Sequence, residues 1–567
     1  MKSRSLLLVS AIAAVAIVGF VGAAVVMAPP DSHGSDQKSR HVLLLSVDGM
    51  HQQDLDWYVK NNPQSSLALL LRYGTSYTQA MAPVPTDSFP GLIAQVTGGH
   101  PKTTGIYYDH AYNRALLPAG TKKCDGVKLG AEVEFTEAAN RDPKALDAGE
   151  GLSGLPDNIL SMNASPQSLL EPAKLPVDPV TCAPVYPHEY LNVNTIFEVA
   201  KAAGMTTAWA DKHPVYEILN GPSGTGVDDL FTPESDSDAP AHFAGTDWTK
   251  DTAATKQYDN YKVEALLRQI SGRDRAGSKV QPVPAIFGMS FQAVNAAQKL
   301  PSSNGMEGGY LSGGLIPGAL LKSSLDFIDA SMARIIDAIQ QNRLDGSTTI
   351  IFSAKHGQSP TDPDTLIRVP DKKIIKDLNA AWKDFKPTST TDLVAFSSED
   401  DVLQLWLSDR SREAVVFAKK FLEGYIATGN KIDGTETTVR SAGLSKIYEG
   451  AKVAKYFGSS RHDNRSPDIL GIAQKGVVFT GGKAKIAEHG GANPADRNVP
   501  LVVSRLSRAQ QKSESATVQG KQGQGSIVAE RVETTQIAPT ILHLLGLDPN
   551  KLQAVRIEDT RVLPGVR

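Results

Sequence analysis

The 567-residue chain has few cysteines and no excess of charge of either sign, and each shortage excludes a class of protein. Two cysteines cannot build a disulfide-rich scaffold or a zinc finger. A net charge of −3 gives no electrostatic reason to expect a nucleic-acid polymer as partner. Hydrophobic residues make up 41% and charged residues 21%, as in ordinary globular proteins. Because the chain has only two cysteines, any metal would need His, Asp, Glu or hydroxyl ligands.

One apolar run near the N-terminus is long enough to span a bilayer. Lys2 and Arg4 precede the stretch Leu6 to Ala28, in which Ser10 is the sole polar side chain. This pattern is typical of a signal peptide or of an uncleaved N-terminal membrane anchor over residues 1–28, and both alternatives stay open. Either one predicts an exported protein that is periplasmic, extracellular or membrane-anchored. The polar residues 29–39 predict a linker before a domain at 40–567.

Apolar runs that end abruptly in polar residues recur along this domain. Their ranges are His41–Val47, Met205–Ala210, Ala285–Ser290 and Thr348–Ser353. Helical patterns lie between them, for example at 194–203 and 324–342. The alternation predicts an α/β fold, with a mostly parallel central sheet and helices on both faces.

Two stretches of the domain are predicted to be insertions that build a cap over the sheet edge. Residues 110–188 are rich in Pro, Gly and Asn, and residues 360–460 hold a strand-like and a helix-like segment. Export favours a disulfide between Cys124 and Cys182 in the first stretch, with two unrelated thiols as the alternative. Residues 508–525 are polar and predict a flexible surface loop.

Residues able to do chemistry follow the predicted strands. Asp48 comes directly after the first strand, Asp211 and His213 follow another, and Lys355 and His356 follow a third. The carboxyl ends of parallel strands share one edge of a sheet, where ligands of α/β proteins bind. These side chains are therefore expected near one crevice.

Ser88 lies in the segment PTDSFPG, just before a predicted helix. A hydroxyl at a helix N-terminus meets the positive end of the helix dipole and free backbone N–H groups, which favour an alkoxide and an anionic phosphate. The alternative is that Ser88 only caps the helix. His356 and His489 are each followed by glycine, and neutral imidazole is a common metal ligand. With Asp48 they predict a shared site.

The order of these motifs resembles the alkaline phosphatase superfamily, and most of all its type I phosphodiesterase/nucleotide pyrophosphatase branch. The segments that carry the resemblance are SVDGM, PTDSFPG, VTGGHP, KHG, EHGG and TTQIAPTILHLLGL. The resemblance covers roughly residues 40–550 apart from the two insertions. It implies an alkaline-phosphatase-like fold and hydrolysis of a small phosphoric ester.

The same resemblance implies roles for individual residues. Ser88 matches the nucleophile that attacks phosphorus beside two zinc ions. Asp48, His356 and His489 match metal ligands, as Ser88 also does. The asparagine that binds a phosphoryl oxygen falls near Asp109. The resemblance thus implies a divalent metal, zinc by analogy, and a small-molecule phosphoester as partner.

Three ligand positions depart from the family pattern. Lys355 replaces a carboxylate, while Gln292 and Ala296 stand where an aspartate and a histidine are expected. The metal complement is therefore expected to differ from the family's, and Asp211 and His213 are further ligand candidates. Lys355 also permits a second mechanism, in which its ammonium takes the charge role of a metal or activates the nucleophile.

The sequence thus predicts an exported, metal-assisted phosphodiesterase or phosphatase with Ser88 and Lys355 in catalytic roles. Two rivals stay open. A sulfatase of the same superfamily would resemble C/S-x-P-x-R, but this chain has Leu92 at the arginine position. A non-catalytic binding protein that has lost its metals would explain the replaced ligands.

Overall fold

The apolar run His41–Val47 forms a central strand, as the sequence predicts. The structure is a computed structural model that describes residues 39–234, 249–460, 462–506 and 525–566. Leu43 and Leu45 point into one hydrophobic core, whereas Val42 and Leu44 point into another on the opposite face. A strand buried on both faces requires helices on both sides of its sheet.

The strands in the described residues are β1 (His41–Val47), β2 (Gly74–Tyr77), β3 (Ala80–Met81), β4 (His110–Asn113), β5 (Ala131–Glu134), β6 (Ala208–Ala210), β7 (Asp229–Phe231), β8 (Ile286–Phe291), β9 (Ser302–Ser303), β10 (Met306–Glu307), β11 (Thr348–Ser353), β12 (Ile367–Val369), β13 (Val394–Glu399), β14 (Val402–Leu407), β15 (Ala427–Asn430), β16 (Glu436–Val439), β17 (Leu444–Glu449), β18 (Ile469–Ala473), β19 (Val477–Phe479), β20 (Leu501–Ser504), β21 (Ser526–Val528) and β22 (Val532–Glu533).

Eight of these strands form the central sheet, in the order β21-β2-β20-β11-β1-β8-β6-β7. The strands from β11 to β7 pair in parallel, and β20 runs antiparallel to both of its neighbours. The sheet is therefore mostly parallel, which confirms the predicted fold class. Ser46 of β1 is level with Ser290 of β8 and Ser353 of β11, so the three strands end together.

The α-helices in the described residues are α1 (Gln52–Asn61), α2 (Ser66–Tyr73), α3 (Ser88–Thr97), α4 (Pro101–Thr104), α5 (Pro187–Tyr190), α6 (Ile196–Ala202), α7 (Thr252–Ile270), α8 (Ala293–Lys299), α9 (Ala319–Gln341), α10 (Asp371–Phe385), α11 (Arg412–Gly424), α12 (Ala451–Phe457), α13 (Pro494–Arg497), α14 (Ile537–Leu544) and α15 (Gln553–Glu558). Apolar residues of α1, α2, α7 and α9 fill one core, and those of α3, α6 and α14 fill the other.

Most of the stretch 360–460, together with β18 and β19, builds two further four-stranded sheets. Their orders are β16-β15-β12-β19 and β13-β14-β18-β17, and they share a separate core with α10 and α11. In the stretch 110–188, β4 and β5 form a hairpin, and Cys124 and Cys182 form a disulfide. The predicted disulfide is thus confirmed.

Two other expectations concern segments that lie largely outside the described residues. They are the N-terminal segment 1–28 with the linker 29–39, and the polar stretch 508–525. Within the part of the chain that the structure describes, no helix is long and apolar enough to cross a membrane.

Candidate active site

Four parallel strands end in polar residues at one edge of the sheet. Asp48 follows β1, Asp211 follows β6, Gln292 follows β8, and Lys355 and His356 follow β11. All five side chains are buried, with at most 5% of their surface exposed. Because β1 lies between β8 and β11, its carboxylate can meet the side chains from both neighbouring strand ends.

Ser88 is the first residue of α3, and Asp87 caps that helix. The Asp87 Oδ1 atom accepts a hydrogen bond from the Phe89 backbone N–H at 3.0 Å. The view that Ser88 only caps the helix is therefore wrong. Its hydroxyl lies instead 3.1 Å from Asp48 Oδ2 and 3.3 Å from His356 Nε2. The helix begins at this point because Asp87 is a strong capping residue and Pro90 suits the first turn.

His356 is oriented by a backbone contact. Its Nδ1 atom lies 2.9 Å from the Gly357 carbonyl oxygen, which can only accept a hydrogen bond. The Nδ1 atom therefore donates to that oxygen, and Nε2 is the ring nitrogen that faces the site. That Nε2 atom lies 3.1 Å from Asp48 Oδ1 and faces the Ser88 hydroxyl. The geometry suits a base that takes the Ser88 proton and then donates to Asp48.

Lys212 is the site residue that the sequence analysis missed. Its Nζ atom lies 3.2 Å from Ser88 Oγ and 2.9 Å from Asp48 Oδ2. Lys212 stands between Asp211 and His213, the two further ligand candidates of the sequence. Its position two residues after a buried strand was the available signal, because the whole strand end faces the crevice.

Lys355 lies behind Asp48 and not against Ser88. Its Nζ atom is 3.1 Å from Asp211 Oδ1, 3.1 Å from the Tyr216 hydroxyl and 3.7 Å from Asp48 Oδ2. The ammonium also lies 4.6 Å from the centre of the Tyr216 ring, a cation–π distance. Of the two lysines, Lys212 is thus the one whose ammonium is within hydrogen-bond distance of the Ser88 oxygen.

Asp48 is ionised because cationic partners surround it. Burial alone would raise its pKa, but Lys212 and Lys355 hold the pKa of Asp48 well below its usual value. Gln292 adds an amide hydrogen bond of 3.0 Å to Asp48 Oδ2. Gln292 thus acts as a donor to the carboxylate. The pKa of Lys212 is raised, since the attraction of Asp48 outweighs the burial of the ammonium.

A cleft of about 340 Å³ opens above Ser88. Asp109, which the family resemblance places near the phosphoryl oxygens, lines this cleft. Burial and the neighbouring Asp109 raise the pKa of Asp87 well above its usual value, and burial raises that of Asp109. Lys299 and Lys485 bring positive charge to the same cleft. A phosphate group in this cleft would meet both cations and the Asp109 carboxyl.

His489 lies beside His356, with 4.4 Å between the ring centres. Its Nδ1 atom points to Asp87 Oδ2 at 3.7 Å and Asp400 Oδ2 at 4.0 Å. Burial, together with Lys299, lowers the pKa of His489 well below its usual value. The ring is therefore neutral and stands at the edge of the Ser88 site.

Asp211 and His213 have other partners. Asp211 accepts hydrogen bonds from Trp209 Nε1 at 2.9 Å and from Lys355 at 3.1 Å. His213 packs against the ring of Tyr216, and burial lowers its pKa to about 4. Asp211 thus neutralises a lysine, and His213 forms part of the cleft wall.

The model of the type I phosphodiesterase/nucleotide pyrophosphatase family matches residues 42–126 and 178–496. The chain belongs to this family. The family and its fold are those of phosphoester hydrolases, whose substrates are small phosphoesters such as nucleotides. The matched ranges include the four strand ends, Ser88 and both late histidines of the site.

Solved structures show the same fold at low sequence identity. An inactive variant of murine ectonucleotide pyrophosphatase/phosphodiesterase 5 in complex with AMP is 11% identical, with a TM-score of 0.50 over 90% of this chain and 96% of that chain. The alkaline phosphatase PafA is 12% identical, with a TM-score of 0.56 over 91% of this chain and 97% of its own. No curated protein matches the sequence.

The family is generally metal-dependent, so the fit of a divalent ion to these residues matters. An ion bonded to both Asp48 Oδ2 and Ser88 Oγ at about 2.1 Å would lie within about 4 Å of the Lys212 ammonium. At an effective dielectric constant near 20, that proximity costs about 8 kcal/mol of repulsion. Lys355 adds a second positive charge near Asp48.

Gln292 and Ala296 stand at two further ligand positions of the family pattern. Gln292 donates to Asp48, and the methyl group of Ala296 has no ligand atom. Among the described residues, Asp400, Glu488 and His489 bring three ligand atoms within 4.8 Å of one another, but Glu488 is already paired with Lys299 at 2.7 Å. The residues present therefore do not fit the family's pair of metal ions.

Proposed function

We propose that this protein hydrolyses small phosphoric esters, with Ser88 as the nucleophile. The observation that carries the proposal is the position of the Ser88 hydroxyl. It lies in the wall of a cleft, within 3.3 Å of a carboxylate, an imidazole nitrogen and an ammonium group. A hydroxyl with a base and a cation on the same oxygen is the arrangement expected of an activated nucleophile.

In the first step, the Ser88 oxygen attacks phosphorus and its proton passes to His356 Nε2. The bond from Oγ to phosphorus forms, and the bond from phosphorus to the leaving oxygen breaks. The leaving oxygen takes a proton from water in the cleft, which leaves hydroxide. Asp48 Oδ1, at 3.1 Å, stabilises the new imidazolium. The Gly357 carbonyl keeps the ring in the required tautomer.

In the second step, hydroxide attacks the phosphoserine. The bond from Ser88 Oγ to phosphorus breaks, and the serine oxygen recovers its proton from His356.

The charges around Ser88 decide which ester fits. Asp48 and Asp211 are balanced by Lys212 and Lys355, so these four groups carry no net charge. A phosphodiester with one negative charge is therefore favoured over a monoester with two.

A non-catalytic binding protein of the same fold is the second candidate. The observation in its favour is that Lys212 and Lys355 saturate Asp48, as an inert ion-pair network would. In that case Ser88 would hold an anion without reacting with it. The family assignment favours phosphoric over sulfuric esters, so the sulfatase alternative has less support.

Two sequence-based predictions accompany the proposal. The apolar N-terminal segment supports export, and the disulfide between Cys124 and Cys182 fits an oxidising compartment. A divalent ion on Asp48, His356 and His489 stays a prediction, which requires the Lys212 side chain to move away. Elemental analysis of the purified chain tests the metal directly.

The test of the nucleophile is Ser88→Ala, with Ser65→Ala as the matched control. Ser65 caps α2 by accepting a hydrogen bond from the Ala68 N–H and lies outside the site. We expect Ser88→Ala to lower diester turnover by more than about 10³-fold, because the attacking oxygen is gone. Ser65→Ala should lose about 1 kcal/mol of stability and keep its activity.

Mass spectrometry after rapid denaturation in substrate should find a phosphoryl group on the peptide that contains Ser88. Unchanged turnover of Ser88→Ala would refute the nucleophile assignment. Tight binding of a phosphodiester, with no turnover of any phosphoester by the wild-type protein, would establish the binding protein instead.

A further inference from the structure

Lys212 places a positive charge next to the oxygen of Ser88, the proposed nucleophile. Its ammonium touches both Ser88 Oγ, at 3.2 Å, and Asp48 Oδ2, at 2.9 Å. The side chain is only 17% exposed, so water screens this charge poorly. Since Asp48 is anchored at the end of a central strand and Ser88 at the start of α3, two rigid elements fix the lysine.

The ammonium is also placed where negative charge develops. Loss of the Ser88 proton creates an alkoxide at an atom that Lys212 already contacts. The attacked phosphoryl group would enter the cleft that both residues line. A fixed cation in a water-poor site stabilises such charge without the cost of reorientation during the reaction.

The surrounding residues support the lysine. Lys355 neutralises Asp211 at 3.1 Å, which leaves Asp48 as the main partner of Lys212. Gln292 then donates to Asp48 and keeps the carboxylate oriented between the two ammonium groups. Lys212, Gln292 and Lys355 each follow the end of a strand, so the arrangement is part of the sheet edge.

We propose that Lys212 is a catalytic residue whose ammonium replaces a divalent metal ion at Ser88, so that the chain hydrolyses its ester without one. The inference rests on the proposed function of Ser88. It goes further because it assigns the charge-stabilising role to one residue of this chain and predicts activity in metal-free protein.

The experiment uses the full chain, purified, treated with a chelator and checked by elemental analysis. The substrate is bis(p-nitrophenyl) phosphate, and the variants are Lys212→Met, Lys212→Arg and the control Lys322→Met. Lys322 forms an exposed pair with Asp326 on α9, away from the cleft. Zinc titration by calorimetry gives a second readout that does not depend on turnover.

We expect metal-free wild-type protein to be active and the control to match it. Lys212→Met should lose about 10²–10³-fold in kcat, and Lys212→Arg should keep part of the activity because it keeps the charge. Lys212→Met should also bind zinc more tightly than wild type, since the repelling ammonium is gone. Wild-type protein that loses activity with its metal and regains it with one equivalent of zinc would overturn the inference.

The two proposals fail in different ways. If wild-type protein hydrolyses no phosphoester in any metal state, the proposed function fails, and with it the catalytic role of Lys212. The zinc titration still decides the replacement of the metal. If the wild type binds one zinc ion per chain and His356→Ala abolishes that binding, Lys212 does not exclude a metal. If Lys212→Met binds zinc tightly and the wild type does not, Lys212 does exclude it.

Discussion

The substitution Lys355→Asp separates the mechanisms because it reverses one charge in the centre of the site. Lys355 is fully buried, and its ammonium lies 3.1 Å from Asp211 and 3.7 Å from Asp48. At an effective dielectric constant near 20, these two attractions amount to about 5 kcal/mol each before desolvation is subtracted. Removing one partner of a buried pair typically costs about 3–5 kcal/mol net.

The new carboxylate adds repulsion from two neighbouring acids, so we expect a loss of at least about 5 kcal/mol of stability. Unfolding entropy of about 2.1 cal/mol/K per residue over roughly 500 residues converts this into a melting temperature lower by at least about 5 °C. Turnover should fall by about 10²–10³-fold, because the positive charge that holds Asp48 in place is lost.

The assay is thermal unfolding and diester hydrolysis of the wild type and the variant, each in chelator and in added zinc. Lys373→Asp is the control, since Lys373 forms an exposed ion pair with Asp377 and its replacement should leave the melting temperature nearly unchanged. The reasoning is refuted if Lys355→Asp melts within 1 °C of the wild type in chelator, or if it gains both metal and activity.

Two further substitutions test the support of the site. A Cβ atom on Gly91 would lie 2.4 Å from the Lys355 carbonyl oxygen, just after β11. Gly91→Ala should therefore displace α3, lower the free energy of unfolding in urea by about 1–3 kcal/mol and lower turnover. The control Gly424→Ala has open space around the added Cβ atom and should change neither stability nor turnover. Burial alone would lower the pKa of His100, but Glu533 and Glu558 raise it to about 9. The protonated ring therefore stabilises the folded protein fully below about pH 6.5, and this stabilisation is lost as the pH rises through 9. The melting-temperature gap between the wild type and His100→Gln should therefore be wide at pH 6 and small at pH 10, and a constant gap would contradict the ion-pair assignment.

The strand ends of the site could be predicted from the sequence because buried parallel strands are continuous apolar runs. The runs at His41–Val47 and Thr348–Ser353 match the strands residue for residue. The run at 205–210 is longer than the strand Ala208–Ala210, because Thr207 makes only an isolated bridge to Ile286 of β8 and the regular strand begins after it. Apolar character reports burial, and pairing depends on neighbours far away in the chain.

The contacts within the site could not be predicted in the same way. Lys212 and Lys355 both follow strands, and only the order of strands in the sheet decides which ammonium touches Ser88. Because β6 is separated from β1 by β8, a residue that follows β6 needs a long side chain to reach Ser88, and Lys212 has one. Asp87 caps α3 because its backbone is extended and its side chain accepts a hydrogen bond from the Phe89 N–H. A motif fixes the residue type, whereas these roles depend on distances of about an ångström.

A final prediction follows from the charge balance between the two lysines. The double variant Lys212→Ala, Lys355→Asp removes both ammonium groups and adds a carboxylate beside Asp48 and His356. If lysine charge is what excludes a metal, this variant should bind about one zinc ion per chain, and zinc at 100 times its Kd should stabilise it by about 2.7 kcal/mol. That stabilisation corresponds to a rise of about 3 °C in melting temperature. The matched control Lys212→Ala, Lys355→Met removes the same charges without adding a ligand and should bind zinc more weakly. Equal zinc binding by the two variants would show that the carboxylate position contributes nothing, and no binding by either would show that the lysines are not what keeps a metal from Ser88.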